Sequence, residues 1–551
     1  MDASKPRKAC DLCYRRKIKC DGGSPRCSHC VVYKSDCTYL AASRKKKKKI
    51  VASREATDTQ SDSSSSSRVE ALEARLRAAL EENNTLKQHQ QHDTRIVHND
   101  ETPVEKEAEV FSSRGQLDLP PEDVVLPLIQ TYLSTFNCFF PLFDTPTLVK
   151  IVHNWYHSPS QRTSTTWASI YIAMALAQYQ ASQSPHSEVS VVDCLRKAQS
   201  VLSEIIISDA ELTSVQVVLG LVLLFIGSPD PRPSTVLLAT AIKLVHTMRL
   251  HRQEGYFGLP DSEVLQRRRV FWIAYILDRE ISLRMRQPPI QHDSEIDVDL
   301  PSDTVDADGA GFITAIWSQE TFNFFRARVQ LAQMQGQVYD CVYSVAAQHL
   351  APETQAIKAL EVRQAMRGWR GRIPLDFSPE VLSHDSTTIL PQYFCQLYSP
   401  YVACLGQLCQ ATSMDPPWVE SLLSYARSVT AGAPCEPPKV PEGWDTLVDA
   451  SRSVMNLFMS VQHKEPAFIW SNVCTYSSGL VCLSANAILE IGSSFPDLDL
   501  HLKDTALAFI DQLSRQANHE GLKQVQRACV ELNSHIGSVE MSRVFDPQLV
   551  T

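Results

Sequence analysis

Residues 9–39 read ACDLCYRRKIKCDGGSPRCSHCVVYKSDCTY, and the six cysteines in this stretch, Cys10, Cys13, Cys20, Cys27, Cys30 and Cys37, follow C-x2-C-x6-C-x6-C-x2-C-x6-C. One C-x2-C-x6-C unit therefore occurs twice in tandem. Two cysteines separated by two residues turn inward together at a tight turn, and a third thiolate one short helix later supplies a third corner of a tetrahedron around a soft divalent ion. Two such half-sites need eight metal–sulfur bonds and have six sulfurs. The shortfall closes when one cysteine of each half serves both metals, which gives a two-zinc cluster in about 30 residues that could not bury a core unaided. A disulfide framework is the alternative, but it belongs to oxidising compartments. The start of the chain, MDASKPRKAC, has no apolar h-region or cleavage site, so no secretion is expected. With every corner taken by sulfur, no position is left for a reactive water; the metal is expected to hold a fold rather than to catalyse.

Residues Ala9 to Tyr39 resemble the fungal zinc binuclear cluster (Zn2Cys6) family of transcription factors. The resemblance implies two zinc ions per chain, with Cys10 and Cys27 as bridging thiolates, Cys13 and Cys20 completing one site, and Cys30 and Cys37 completing the other. Between the second and third cysteines lies Tyr14-Arg15-Arg16-Lys17-Ile18-Lys19, a basic stretch expected to form a short helix pinned at both ends. Modules of this kind place a helix in the major groove of double-stranded DNA, where some side chains reach base edges and neighbouring cations hold phosphates. By the resemblance, Lys17 reads the G·C pairs of a CGG triplet, which suits donor recognition of the guanine O6 and N7 acceptors. Arg15, Arg16 and Lys19 are then the expected phosphate contacts, while Tyr14 departs from the arginine often found at its position.

The charge distribution agrees. Residues 1–54 contain 16 Lys and Arg against 4 Asp and Glu, a balance of +12, whereas the whole chain carries −9, so the remainder stands near −21. Six thiolates and two zinc ions add a net −2, which leaves the first segment strongly cationic. A basic head on an acidic body docks one end on a polyanion while the bulk is repelled from it. The run Arg44 to Lys49 (RKKKKK) has two roles open to it, nuclear localisation and tracking of phosphates.

Residues 41–67 read as a basic and Ser-rich linker ending in SDSSSSS. Over residues 68–88, Val69, Leu72, Leu76, Ala79, Asn83 and Leu86 fit alternating a and d positions of a heptad. Arg68 with Glu73, and Glu82 with Lys87, suit pairing between parallel helices, and Asn83 at an a position favours a two-stranded, in-register coil. This segment is expected to make a homodimer; a single amphipathic helix is the other reading. Residues 89–116 are polar and are expected to be a disordered linker, with His89, His92 and His98 as linker residues rather than ligands.

From residue 117 to 551 the composition is that of a packed helical domain. Apolar residues recur at helical spacing over 122–137, 165–183, 190–207, 212–227, 234–250 and 262–286, with prolines between, while strand signals are sparse, so the class is all-α. Val217 to Ile226 is nearly all apolar yet only about half the 20 residues of a membrane span, which predicts a buried core helix and no membrane partner. Leu126 to Phe143 (LPLIQTYLSTFNCFFPLF) and Arg267 to Pro301 resemble the regulatory middle homology domain that follows the zinc cluster in many fungal activators. Asp278 and Arg279 are expected to form a structural salt bridge or cap. The acidic stretch Asp293 to Asp308 is open to two readings, an activation surface or the loop that closes the preceding helix.

No G-x-S-x-G, P-loop, G-x-G-x-x-G or H-E-x-x-H motif stands in the body, so no enzyme is expected. Its ten other cysteines are scattered, and Cys404 and Cys409 are expected to be core. The sequence thus points to a zinc-dependent, sequence-specific nuclear transcription factor for RNA polymerase II genes. Such a factor binds CGG-type half-sites as a dimer and engages the transcription machinery through its body. Control of a metabolic gene cluster is what the resemblance implies for a chain of this size. The alternative is a zinc-stabilised protein-interaction scaffold, against which the basic recognition segment argues.

Overall fold

The computed structural model describes residues 9–15, 19–23, 26–32, 36–38, 117–178, 189–306, 308–410, 416–433, 436–489 and 499–545. The basic run, the heptad segment 68–88, both linkers, Arg16 and Lys17 lie outside the described residues. The chain divides into two units, Met1–Ser113 and Arg114–Thr551. In the first, the described residues form two short helices, α1 (Asp11–Arg15) and α2 (Ser28–Val32), packed against a cluster of buried cysteines.

The second unit is helical, as expected. Its order is α3 (Glu122–Ser134), α4 (Thr145–His157), α5 (Ser164–Gln178), α6 (Val191–Ser200), α7 (Leu202–Ile207), α8 (Leu212–Ile226), α9 (Arg232–Thr247) and α10 (Asp261–Met285). A two-stranded antiparallel ribbon follows, β1 (Phe312–Thr314) against β2 (Thr321–Asn323). Then come α11 (Phe324–Val342), α12 (Pro352–Gly371), α13 (Leu390–Leu408), α14 (Pro416–Thr430), α15 (Trp444–Ser460), α16 (Pro466–Leu489), α17 (Leu500–Ala517) and α18 (Glu520–Phe545). The helical window 190–207 is broken at Val201, whose φ of −105° and ψ of 3° leave the helical region. The end of the window 165–183 lies outside the described residues.

Helices apolar on every side belong in the middle of a fold, and α5 and α8 occupy that place. Ala168 and Ile170 on α5, and Val217, Val218 and Leu221 on α8, have no solvent exposure. The two helices touch at Gly220, where a β-carbon would stand 2.2 Å from Ile172 Cγ2. Amphipathic helices surround them; α4 starts at Asp144, whose carboxylate accepts from Thr147 N at 3.0 Å as an N-cap. Cys404 is fully buried and Cys409 nearly so, as core thiols. Among the described residues, no helix is long and apolar enough to cross a membrane.

The segment Phe136–Phe143 enters this core as an aromatic wedge. Phe139 stacks on Tyr393 with centroids 3.5 Å apart, and Phe324 meets Phe139 edge-on at 5.0 Å. Phe136–Phe139 form one helical turn; beyond it the backbone leaves helix, so its carbonyls need donors. Gln216 Nε2 and Gln266 Nε2, both buried, donate to the Leu142 carbonyl at 2.6 and 2.8 Å.

Residues 286–306 and 308–310 lie back along α10. Asp278, with no solvent exposure, accepts from the amides of Ile290 and Gln291 at 3.0 Å and from Arg279 Nη1 at 3.0 Å. Arg279 also donates to the Gln291 carbonyl and to Asp293, each at 2.8 Å. Asp278 and Arg279 are therefore the structural pair expected from sequence. On the facing helix, Gly336 makes room for that guanidinium, since a β-carbon there would lie 3.0 Å from Arg279 Nε. Further along, Arg269 donates to Asp308 at 2.6 and 2.7 Å and to Asp306 at 3.1 Å. Of the two readings of Asp293 to Asp308, the structure shows the loop that closes the helix.

The Arg269 hydrogen bonds hold the Asp308 carboxyl below its ordinary 3.8. A depressed folded-state value means that the tether stabilises the body fully above the ordinary carboxylate range and is lost as pH falls through the lowered value. Asp308→Asn should therefore reduce the loss of stability on acidification below about pH 4. Urea midpoints of wild type and variant at near-neutral and acidic pH provide the check, the gap between them narrowing in acid.

Candidate metal centre

The tandem repeat of cysteine spacing becomes a repeat in space. Cys10 directly precedes α1 and Cys13 lies within it; Cys27 directly precedes α2 and Cys30 lies within it. Each C-x2-C pair thus turns both sulfurs to one side of a helical first turn. Cys20 and Cys37, each seven residues beyond the second member of its pair, return along the chain to the same centre.

Two sets of four sulfurs result. Cys10, Cys13, Cys20 and Cys27 form one, Cys10, Cys27, Cys30 and Cys37 the other, and within each set all ligand atoms lie within 4.8 Å of one another. Cys10 and Cys27 belong to both. Cys10 and Cys30 stand 3.6 Å apart, with Cys10–Cys27 and Cys13–Cys27 at 3.7 Å. Four sulfurs each about 2.3 Å from one zinc ion make a tetrahedron with edges of about 3.8 Å, so these separations fit zinc and are far too long for a disulfide. The cluster binds two zinc ions. Cys10, Cys13, Cys27 and Cys30 are fully buried, while Cys20 and Cys37 are partly exposed.

The thiols share charge unequally. The Cys13 amide, with neighbouring thiols adding to it, holds Cys10 down to about 6, against an ordinary 9.0. Burial and the donor role toward Cys10 and Cys27 push Cys13 up, and burial does the same for Cys30. Bringing every sulfur to the thiolate form requires cations at the centre.

Residues around the cysteines hold the two halves together. The Asp21 carboxylate accepts from Ser28 N at 3.1 and 3.2 Å and so caps α2 from seven residues upstream. That hydrogen bond keeps Asp21 below the usual carboxylate value. Gly22, at φ +69°, makes the turn that brings it there. Asp11 N donates to the Thr38 carbonyl at 2.7 Å and Thr38 Oγ1 donates to Asp11 at 2.9 Å, which joins the first and last parts of the cluster. Arg26 pairs with Asp36 at 3.1 Å. The cysteine spacing does not reveal these roles; an acid directly after Cys20, followed by two glycines, is the local signal for Asp21. Of the basic residues, Arg15 ends α1 and Lys19 is exposed beside Cys20, while Arg16 and Lys17 lie outside the described residues.

Comparison with known proteins places this geometry. Residues 8–47 match the fungal Zn(2)-Cys(6) binuclear cluster domain, and residues 129–371 match the fungal specific transcription factor domain. An ABC-transporter-regulating transcription factor of Aspergillus fumigatus is 31% identical over 77% of this chain and 48% of its own length. A protein of the same description from Aspergillus oryzae is 27% identical over 96% of this chain and 73% of its own. The fusaridione A cluster transcription factor of Fusarium heterosporum is 25% identical over 77% of this chain and 78% of its own. The chain spans about half the length of the Aspergillus fumigatus relative.

Because Cys27 stands in both sulfur sets, Cys27→Ser should lower zinc content by more than one ion per chain, whereas Cys37→Ser removes a ligand from one set only. Asp21→Ala should leave the zinc count intact and weaken retention against a chelator. Native mass spectrometry of the intact chain, with and without chelator, reads both effects.

Proposed function

The chain belongs to the fungal transcription factors that carry a Zn(2)-Cys(6) binuclear cluster ahead of a fungal specific transcription factor domain, and we propose that it regulates RNA polymerase II genes by docking that cluster on CGG-type half-sites in nuclear DNA. The observation that carries this reading is the pair of sulfur sets sharing Cys10 and Cys27 within a segment of charge +12. A metal shell closed by sulfur has no catalytic position, so what the head offers a partner is its cationic surface. In this reading Cys10 and Cys27 bridge the two zinc ions. Lys17 reads guanine edges, and Arg15, Arg16 and Lys19 hold phosphates on either side.

The heptad of residues 68–88 supports a parallel homodimer, with each head tethered through a linker of about 30 residues that lets it reach its own triplet. The run Arg44 to Lys49 supports entry to the nucleus and contact with phosphates flanking the triplet. The helical body, acidic overall, is then the part that engages the transcription machinery. Two relatives are described as regulating ABC transporters and a third as serving a biosynthetic cluster, which favours target genes of those kinds.

Lys17→Ala should relax preference at the CGG triplet. Arg16→Ala should instead weaken specific and random DNA alike and flatten the slope of log affinity against log salt by about 0.9 for each phosphate it no longer neutralises. Equilibrium binding to matched and mismatched duplexes at several salt concentrations separates the two roles, and equal losses on both duplexes from both changes would overturn them. Leu76→Pro breaks a helix interior and should reduce affinity for paired half-sites far more than for one triplet, as measured by sedimentation and binding of the full chain.

A further inference from the structure

Helix α12 (Pro352–Gly371) is held to the body by its second half. Its buried side chains are Val362, Met366 and Trp369, and Trp369 Nε1 donates to the Ala327 carbonyl at 3.0 Å. From Pro352 to Glu361 no side chain is buried. Gln355, which donates from Nε2 to the Ala347 carbonyl, and Ala359 are partly covered, and the other eight residues are exposed. A stretch of helix with so little packing is marginal in water, so it has stability to gain from a covering partner.

The face turned away from the core carries a regular pattern. Glu353, Ile357, Leu360, Gln364 and Arg367 follow one another at intervals of four, three, four and three residues, which lays them in one stripe opposite Val362, Met366 and Trp369. Ile357 is 57% exposed and Leu360 39%. Glu353 and Arg367 are also exposed, and neither forms an ion pair among the described residues, whereas nearby Arg363 and Arg370 are taken by Glu442 at 2.7 Å and Glu380 at 3.8 Å.

Glu353 lies seven residues before Leu360 and Arg367 seven residues after it, about 10 Å each way along the helix. Two copies of α12 laid antiparallel across a two-fold axis at Leu360 therefore set Glu353 of each against Arg367 of the other, with Ile357 and Leu360 packed between the two ion pairs. A parallel arrangement in register opposes Glu353 to Glu353 and Arg367 to Arg367, which is repulsive. This charge pattern selects a second copy of the chain as the occupant.

We propose that the outward stripe of α12 is a self-association surface on which the helical bodies of two chains pair antiparallel about Leu360. A few turns of one helix per copy bury less than the roughly 1,200 Å² of a standard interface, so the contact is weak in solution and gains from anything that already holds two chains together, such as paired half-sites on one duplex. It is separate from the heptad of residues 68–88 and does not depend on how the head reads DNA.

The test is sedimentation equilibrium of the full-length zinc-loaded chain carrying Leu76→Pro, which breaks the heptad helix and leaves the bodies to associate by themselves. A reversible monomer–dimer equilibrium is expected at about 100 μM or below. Glu353→Arg or Arg367→Glu alone sets like charges together twice across the two-fold, and Leu360→Glu sets two carboxylates at the axis; each should weaken the dimer by about tenfold or more. Glu353→Arg combined with Arg367→Glu exchanges the signs and should restore the affinity of the parent. All three positions are exposed, so the thermal midpoint should hardly move, and recovery in the double variant also answers for the folding of the two single ones. A parent that stays monomeric at that concentration, single reversals that leave the equilibrium unchanged, or a double reversal that fails to recover it would overturn the proposal.

Discussion

Sulfurs packed 3.6–3.7 Å from one another repel once ionised unless cations stand between them, and the described residues of the N-terminal unit are organised around that constraint. The two helices among its described residues are five residues each, too short to persist in water without outside support. Their orientation comes from the sulfur centre, from the Asp21 cap on α2 and from the Asp11–Thr38 clasp. Metal binding and folding are then one event, and the polar surface around the centre is free to carry charge for a partner instead of covering a core.

The body solves a different problem. Its central helices α5 and α8 are apolar all round and need only close packing, which Gly220 permits. Where the chain leaves helical geometry, buried polar side chains take over: Gln216 and Gln266 hold the Leu142 carbonyl, and Asp278 holds the amides of Ile290 and Gln291. A buried Asp–Arg pair adds little net stability over apolar residues of like shape, but removal of one partner is costly. Its value here is in fixing where the loop after α10 lies. That loop contains the acidic stretch that composition alone leaves open to an activating role.

The sulfur centre was legible because coordination chemistry is written in local spacing: paired cysteines two apart and a third seven on require only short turns to meet. Helices α3, α5, α6, α8, α9 and α10 were legible from their apolar period, and the buried nature of α8 from a run too short for a membrane, whereas α4 and the helices after residue 286 were not singled out. The break at Val201 was hidden because the apolar pattern of α6 continues into α7 with no glycine or proline between them. Pairings between distant residues were hidden for a more basic reason. Arg269 and Asp308 lie 39 residues apart, and Gln216 and Leu142 lie 74 apart, so their pairing is set by the packing of whole helices and leaves no local mark.

The central claim is that six cysteines and two zinc ions make one closed cluster. Zinc X-ray absorption on the intact chain tests it most directly. The account predicts an all-sulfur shell of four ligands at about 2.3 Å around each ion and a second zinc as a near neighbour, since the two sulfur sets share Cys10 and Cys27. Nitrogen or oxygen in the first shell, or zinc with no metal neighbour, would contradict it.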